Sequence, residues 1–187
     1  MTTSSVAVFE GCRHKASLKR KIAQAIAALA PASVRQEVVE IGDPPIYNRD
    51  LDDDATPPAV WTAFRDKVRG FDAVLFVRPE YNRSVPAVLK NSLDVGSRPY
   101  GKNVWNGKPG AMVSVSPDAL SGFGANHHLR QSLVFLNVPT LQQPEAYVGR
   151  AGALFDNTGA LMNERTLEFL ADFSRRFAAW IDNNRGL

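Results

Sequence analysis

Residues 71–99 read FDAVLFVRPEYNRSVPAVLKNSLDVGSRP. The apolar run Phe71–Val77 predicts a buried strand. A polar turn bounded by Pro79 and Pro86 follows. Val85–Val95 then predicts an amphipathic helix with Pro86 in its first turn, where the missing N–H costs little. A strand that ends in a polar loop opening a helix is where open α/β sheets hold ligands.

The same alternation runs outward in both directions. Val6–Phe9 predicts a first strand. Ser17–Ala30 predicts a helix from Leu18, Ile22, Ala25, Ile26 and Leu29. Val34–Ile41 reads as a second strand, and Gly42–Pro58, rich in Asp, Pro and Asn, as a long surface loop. Ala59–Val68 predicts a helix with Val60, Phe64 and Val68 on its inner face. Ala111–Val115 reads as a fourth strand, Ala125–Leu136 as a helix, Ala146–Val148 as a short fifth strand, and Arg165–Asn183 as a closing helix. Strands alternating with helices imply a parallel sheet covered on both faces. The expected fold is a single α/β domain over residues 1–187. It is a flavodoxin-like three-layer sandwich around a five-stranded parallel sheet.

Composition narrows the function. The chain has 187 residues, is 44% hydrophobic and carries a net charge of +3. That charge is too small to argue for nucleic acid, although the pI is about 9.2. No apolar run approaches a membrane span. The amino terminus lacks the charged-then-apolar pattern of a secretory signal, so the expected location is the cytoplasm. With one cysteine, Cys12, neither an intrachain disulfide nor a four-cysteine zinc site can form.

Three strand-to-helix turns could hold a ligand. The first, Gly11–Lys21, carries Arg13, His14, Lys15, Lys19, Arg20 and Lys21 at a helix start, where cations are disfavoured. A bound phosphate would relieve that conflict, and a solvated basic helix start is the alternative. No Walker A or GxGxxG pattern occurs. The second turn offers Glu80, Tyr81, Asn82 and Ser84, which suits a flat heteroaromatic ligand. The alternative is a proline-bounded turn with Ser84 capping the next helix. The third, Ser116–Gly124, is rich in small residues, which permit close backbone approach. Catalytic side chains are scarce. His127 and His128 are adjacent, so on a helix they point about 100° apart and make no metal pair. This scarcity fits a cofactor that carries its own hydride chemistry.

Pro79-Glu80-Tyr81-Asn82-x-Ser84-x-Pro86, continuing through Leu89-Lys90-Asn91, Asp94 and Ser97-Arg98-Pro99, resembles a known signature. It is that of the NAD(P)H-dependent FMN reductases, in the branch that includes chromate, quinone and azo-dye reductases. The likeness extends over Ile41–Asp54, Ser116–Gly124 and Leu129–Gly149. It implies FMN as cofactor and NADPH or NADH as co-substrate. It also implies a small-molecule electron acceptor (a quinone, flavin, chromate or similar) and a homodimer or homotetramer, with no nucleic acid or membrane partner. Asp43–Asp54 and the Arg130/Glu145 region are the candidate subunit contacts.

Carried onto this chain, the family's phosphate loop falls on Gly11–Lys19. Gly11, Lys15 and Ser17 match it, while Cys12, His14 and Lys19 replace its serine, arginine and asparagine. Pro79, Glu80, Tyr81, Asn82, Ser84, Val85, Pro86 and Ala87 would lie along the isoalloxazine, with Ser116, Ser121 and Gly122 from the third loop. No catalytic side chain and no metal ligand is implied. The departures at Cys12, His14, Lys19 and Asp118 motivate an alternative, a binding or regulatory protein on the same fold with weakened or lost FMN binding.

Overall fold

The structure is a computed structural model, described here over residues 3–10, 17–42, 44–53 and 56–185. Its sheet contains β1 (Ser4–Glu10), β2 (Val34–Val38), β3 (Ala73–Arg78), β4 (Gly110–Val115) and β5 (Ala146–Val148). All neighbouring pairs are parallel, in the order β2-β1-β3-β4-β5. Among the described residues, six α-helices connect and cover them: α1 (Leu18–Ala28), α2 (Asp50–Asp53), α3 (Ala59–Arg69), α4 (Ala87–Gly96), α5 (Phe123–Phe135) and α6 (Glu164–Asn183). The chain reverses its direction of winding between β1 and β3, which opens a crevice at the carboxyl ends of those strands.

Strand composition follows depth. Residues of β3 and β4 are buried along their whole length, as their uninterrupted apolar runs require. Edge strand β2 reads VRQEV and is only partly covered. Alternate side chains feed two cores. Phe9, Phe76 and Met112 face α3, α4 and α5, while Val8, Leu75, Val77 and Val113 face α1 and α6. On the first side Phe9 lies 5.3 Å from Phe76 and 5.4 Å from Trp105 between ring centroids. Trp105 presses on α4 at Gly96, where a Cβ would stand 2.5 Å from the indole nitrogen, and that nitrogen donates to the Leu93 carbonyl at 3.1 Å. On the second side α6 presents Leu170, Phe173, Phe177 and Ile181. Each such buried side chain contributes about 1.5–3 kcal/mol.

Several local expectations are corrected. The inner face of α3 is Trp61, Phe64, Arg65 and Val68, and Val60 is 37% exposed. The spacing 61, 64, 65, 68 is the better helical stripe, and it admits a buried arginine because a partner exists. The Arg65 guanidinium donates to both Asp52 carboxylate oxygens at 2.9 and 2.7 Å, and its Nε donates to the Val95 carbonyl at 2.9 Å. Asp52 lies on α2, a helix inside the stretch expected to be wholly loop. Within the acidic segment proposed as a subunit contact, Asp52 therefore turns inward. Pro86 sits at the N-cap of α4 rather than in its first turn, and no side chain caps that helix. Strand β3 runs one residue further than its apolar run, through Arg78.

Candidate active site

The carboxyl ends of β1, β3 and β4 converge on the crevice. Of the β1–α1 turn, Gly11, Cys12, His14 and Lys15 lie outside the described residues. Ser17 is the N-cap of α1, its hydroxyl accepting the Arg20 N–H at 3.2 Å. The Arg20 guanidinium is held by protein carboxylates, Glu10 at 2.8 Å and Glu40 at 3.3 Å. The hydrogen bond and charge of Glu10 raise its pKa. Lys21 Nζ stands 5.1 Å from the centre of the Phe155 ring. Part of the basic run is thus compensated within the protein, and Lys19 remains a half-buried cation at the helix start.

The β3–α4 turn is a miniature hairpin. Tyr81 N–H donates to the Ser84 carbonyl at 3.0 Å, and Ser84 N–H to the Tyr81 carbonyl at 2.9 Å. Asn82 and Arg83 between them have φ of 49° and 64°. Two left-handed central residues define the type I′ geometry, for which asparagine is suited and arginine is not. The bridge uses the N–H groups of Tyr81 and Ser84 and leaves those of Asn82 and Arg83 outside it. The Tyr81 ring is half exposed. Ser84 caps no helix; its hydroxyl lies 3.0 Å from Nδ1 of His128.

Glu80 fixes this hairpin to the third loop. Its Oε2 accepts the Ala125 N–H at 2.9 Å, and Oε1 accepts from the Arg83 guanidinium at 3.1 Å. Ala125 is in the first turn of α5, where N–H groups lack helical partners. The Glu80 side chain is 11% exposed. Its carboxylate is thus spent on scaffolding, and its backbone is what it offers a ligand. Gly124 makes the junction possible, since a Cβ there would meet the Arg83 carbonyl oxygen at 3.0 Å and Glu80 Oε2 at 3.1 Å. Gly122, with φ of 75°, packs on Ser114 in the same way.

The β4–α5 loop is tied by its own hydroxyls. Ser116 Oγ accepts the Asp118 N–H at 3.1 Å, and Ser121 Oγ donates to the Ala119 carbonyl at 2.9 Å. Ser114 Oγ donates to the Ser121 carbonyl at 2.7 Å. Asp118 is exposed. Glu80, Ser84, Ser121 and Gly122 are thereby brought into one shell of two loops. The two histidines diverge as helical spacing requires, His128 to Ser84 and His127 to the Tyr147 hydroxyl at 3.3 Å.

Sequence reasoning passed over a polar layer beneath this shell. Arg78, Ser114 and Tyr147 are register neighbours across β3, β4 and β5 and share the face covered by α5. Arg78 is wholly buried, and its Nε, Nη1 and Nη2 have no hydrogen-bond partner. Burial pushes its pKa down to about 9, against the attraction of Glu80. Arg130 donates to Asn126 Oδ1 and to the Leu141 carbonyl, both at 3.3 Å, and lies 3.8 Å from Glu145. Burial, then hydrogen bonding to Glu145, raises the Tyr147 pKa to about 12. The signal available was one arginine at the end of an otherwise apolar run.

These features fit a flavin. Two loops of small and polar residues and the half-exposed Tyr81 ring lie where a flat heteroaromatic would sit, and a half-buried lysine stands at the helix start that would face its phosphate. The unpartnered guanidinium below adds positive potential, which favours a ligand that gains negative charge.

Comparison with known proteins agrees. The model of the family described as NADPH-dependent FMN reductase matches residues 4–153. A quinone reductase of Pseudomonas putida is 57% identical, the alignment covering 98% of this chain and 97% of that one. A 2-hydroxy-1,4-benzoquinone reductase of Burkholderia is 39% identical over 96% of this chain and 97% of its own. Among solved structures, FerB, a flavoenzyme NAD(P)H:(acceptor) oxidoreductase of Paracoccus denitrificans, superposes with a TM-score of 0.91. It shares 34% identity, over 98% of this chain and all of that one. The chain therefore belongs to the NADPH-dependent FMN reductase family and is a flavin-dependent oxidoreductase of flavodoxin-like fold.

Proposed function

We propose that this enzyme holds FMN across the carboxyl ends of β1, β3 and β4 and passes a hydride from NADPH or NADH to quinone-type acceptors. The observation that carries the assignment of the site is the Glu80 junction, which fixes the Tyr81–Ser84 hairpin against the first turn of α5. Gly11, Cys12, His14, Lys15, Ser17 and Lys19 hold the phosphate. The backbone of Pro79–Ala87 lies along the ring, and Ser116, Ser121 and Gly122 close it from the β4 side. The quinone assignment follows the two quinone reductases most alike among those compared above.

The flavin supplies two-electron chemistry when bound. The protein's residues position it. The left-handed turn at Asn82 and Arg83 keeps their two backbone N–H groups outside the Tyr81–Ser84 bridge, and Glu80 ties that turn to α5. The Tyr81 ring offers an apolar face against which a planar substrate can pack. With one crevice to serve both, donor and acceptor would bind there in succession, so ping-pong kinetics are expected.

The functional unit we infer is a homodimer or a pair of dimers acting in the cytoplasm. Among the described residues, no helix is long and apolar enough to cross a membrane. Ile46 and Tyr100, 85% and 92% exposed, offer apolar contact area outside the core.

The test is direct. Purified apoprotein is titrated with FMN by flavin fluorescence, and NADPH and NADH oxidation is followed with a benzoquinone. Saturable binding and acceptor-dependent oxidation are expected. A protein that binds no FMN and oxidises neither nucleotide would overturn the assignment.

A further inference from the structure

Arg78 stands apart among the described residues. Burying a charge is costly unless it is paired and hydrogen-bonded. Arg78 is fully buried with all three guanidinium nitrogens unpartnered. The carboxylate whose charge acts on it is Glu80, whose two oxygens already serve Ala125 and Arg83. The surroundings deepen the imbalance. Arg130 adds a second positive charge nearby, and the buried Asn126 amide nitrogen lacks an acceptor. The group remains cationic at neutral pH, since its pKa is lowered only to about 9.

This positive potential arises on the residue directly before Pro79, at the foot of the loop assigned to the flavin ring. Enclosed by protein, it is screened little by salt. A cation that makes no hydrogen bond acts through charge alone. Toward a ligand of constant charge it favours neither state. Hydride transfer from a nicotinamide moves two electrons and one proton to the ring together, so a neutral ring gains one negative charge.

We propose that Arg78 sets the redox balance of the bound cofactor, its buried positive charge favouring the reduced, anionic ring over the oxidised, neutral one. This rests on the FMN assignment above. Arg78 is thus a tuning residue that need not touch substrate or cofactor.

The test measures binding in both redox states. Apoprotein of the wild type, Arg78→Met, Arg78→Gln and Arg78→Lys is titrated with oxidised FMN in air and with dithionite-reduced FMN under anaerobic conditions. The two neutral variants are expected to lose about tenfold in preference for reduced over oxidised FMN, equivalent to a fall of about 30 mV in the two-electron potential. Arg78→Lys keeps the wild-type preference within about threefold. An unchanged preference in both neutral variants would overturn the proposal, and so would a loss in Arg78→Lys as large as in Arg78→Met. If Arg78→Met does not fold, Arg78→Gln and Arg78→Lys decide. Failure of the wild type to bind FMN in either state is a different result and removes the FMN assignment itself.

Discussion

Glu80 and Ala125 are 45 residues apart and joined by a 2.9 Å hydrogen bond from the Ala125 N–H to the Glu80 carboxylate. One side chain thus closes the free end of α5 and holds the β3–α4 hairpin in place. Glu80→Ala is expected to cost about 1–2 kcal/mol of stability, the range for losing a helix cap. It should also weaken FMN binding by more than the stability loss explains, because the hairpin is released. Glu80→Gln keeps an acceptor and should fall between. Urea unfolding and FMN titration of the same samples check both.

Gly124 faces that junction. A Cβ there would press on the Arg83 carbonyl oxygen at 3.0 Å, a backbone atom that cannot swing away. Gly124→Ala should therefore destabilise by roughly 1–3 kcal/mol, as overpacking does. Gly152→Ala is the control, because nothing lies within 4 Å of a Cβ at that position. It should be neutral or stabilise by about 0.4–1 kcal/mol. Thermal midpoints of the two variants should move in opposite directions or differ clearly in size.

Asp52 and Arg65 form a buried bidentate pair with side chains 2% and 4% exposed. Asp52→Ala leaves the guanidinium buried without a counter-charge, at a cost of about 3–5 kcal/mol. Combining it with Arg65→Met should recover much of that loss, since an apolar pair need not be worse than an ionic one. A double-mutant cycle by chemical denaturation measures the recovery.

Asp72 gives a pH dependence of defined sign. Burial raises its pKa, but hydrogen bonds from the Ser5 N–H and hydroxyl, at 2.7 and 2.8 Å, together with Arg185 and Lys108, lower it overall. A carboxylate held below its unfolded value contributes stability above that value, about 3.9, and loses it as the pH falls through the folded value. Wild-type stability should therefore decline below about pH 4, and Asp72→Asn should show a shallower decline. Thermal midpoints measured from pH 2.5 to 6 separate the two curves.

How much was legible in the sequence followed the range of the interactions. Val74–Val77 and Val6–Phe9 announce themselves because a strand buried on both faces must be apolar throughout. The flavodoxin-like order followed from the alternation of elements. The helices α1, α5 and α6 fell within a few residues of their expected bounds for the same local reason. Tertiary partnerships were not legible. Arg65 was not placed on the inner face of its helix because Asp52, which makes its burial possible, is 13 positions away in an apparent loop. Glu80 looked like a ligand-facing acid because its partner Ala125 offers only a backbone N–H, which no sequence pattern marks. Arg78, just past an apolar run, was passed over because spacing carries no information on whether a charge finds a counter-ion.

The complete burial of β3 and β4, with crevice loops at their carboxyl ends, separates two timescales of opening. Amides in the centre of the sheet, such as those of Leu75 and Val113, can exchange with solvent deuterium only when the domain unfolds as a whole. Those of Asn82 and Arg83, outside the Tyr81–Ser84 bridge, exchange without disturbing a single ladder bond. A ligand can therefore enter and leave at the crevice while the sheet stays shut.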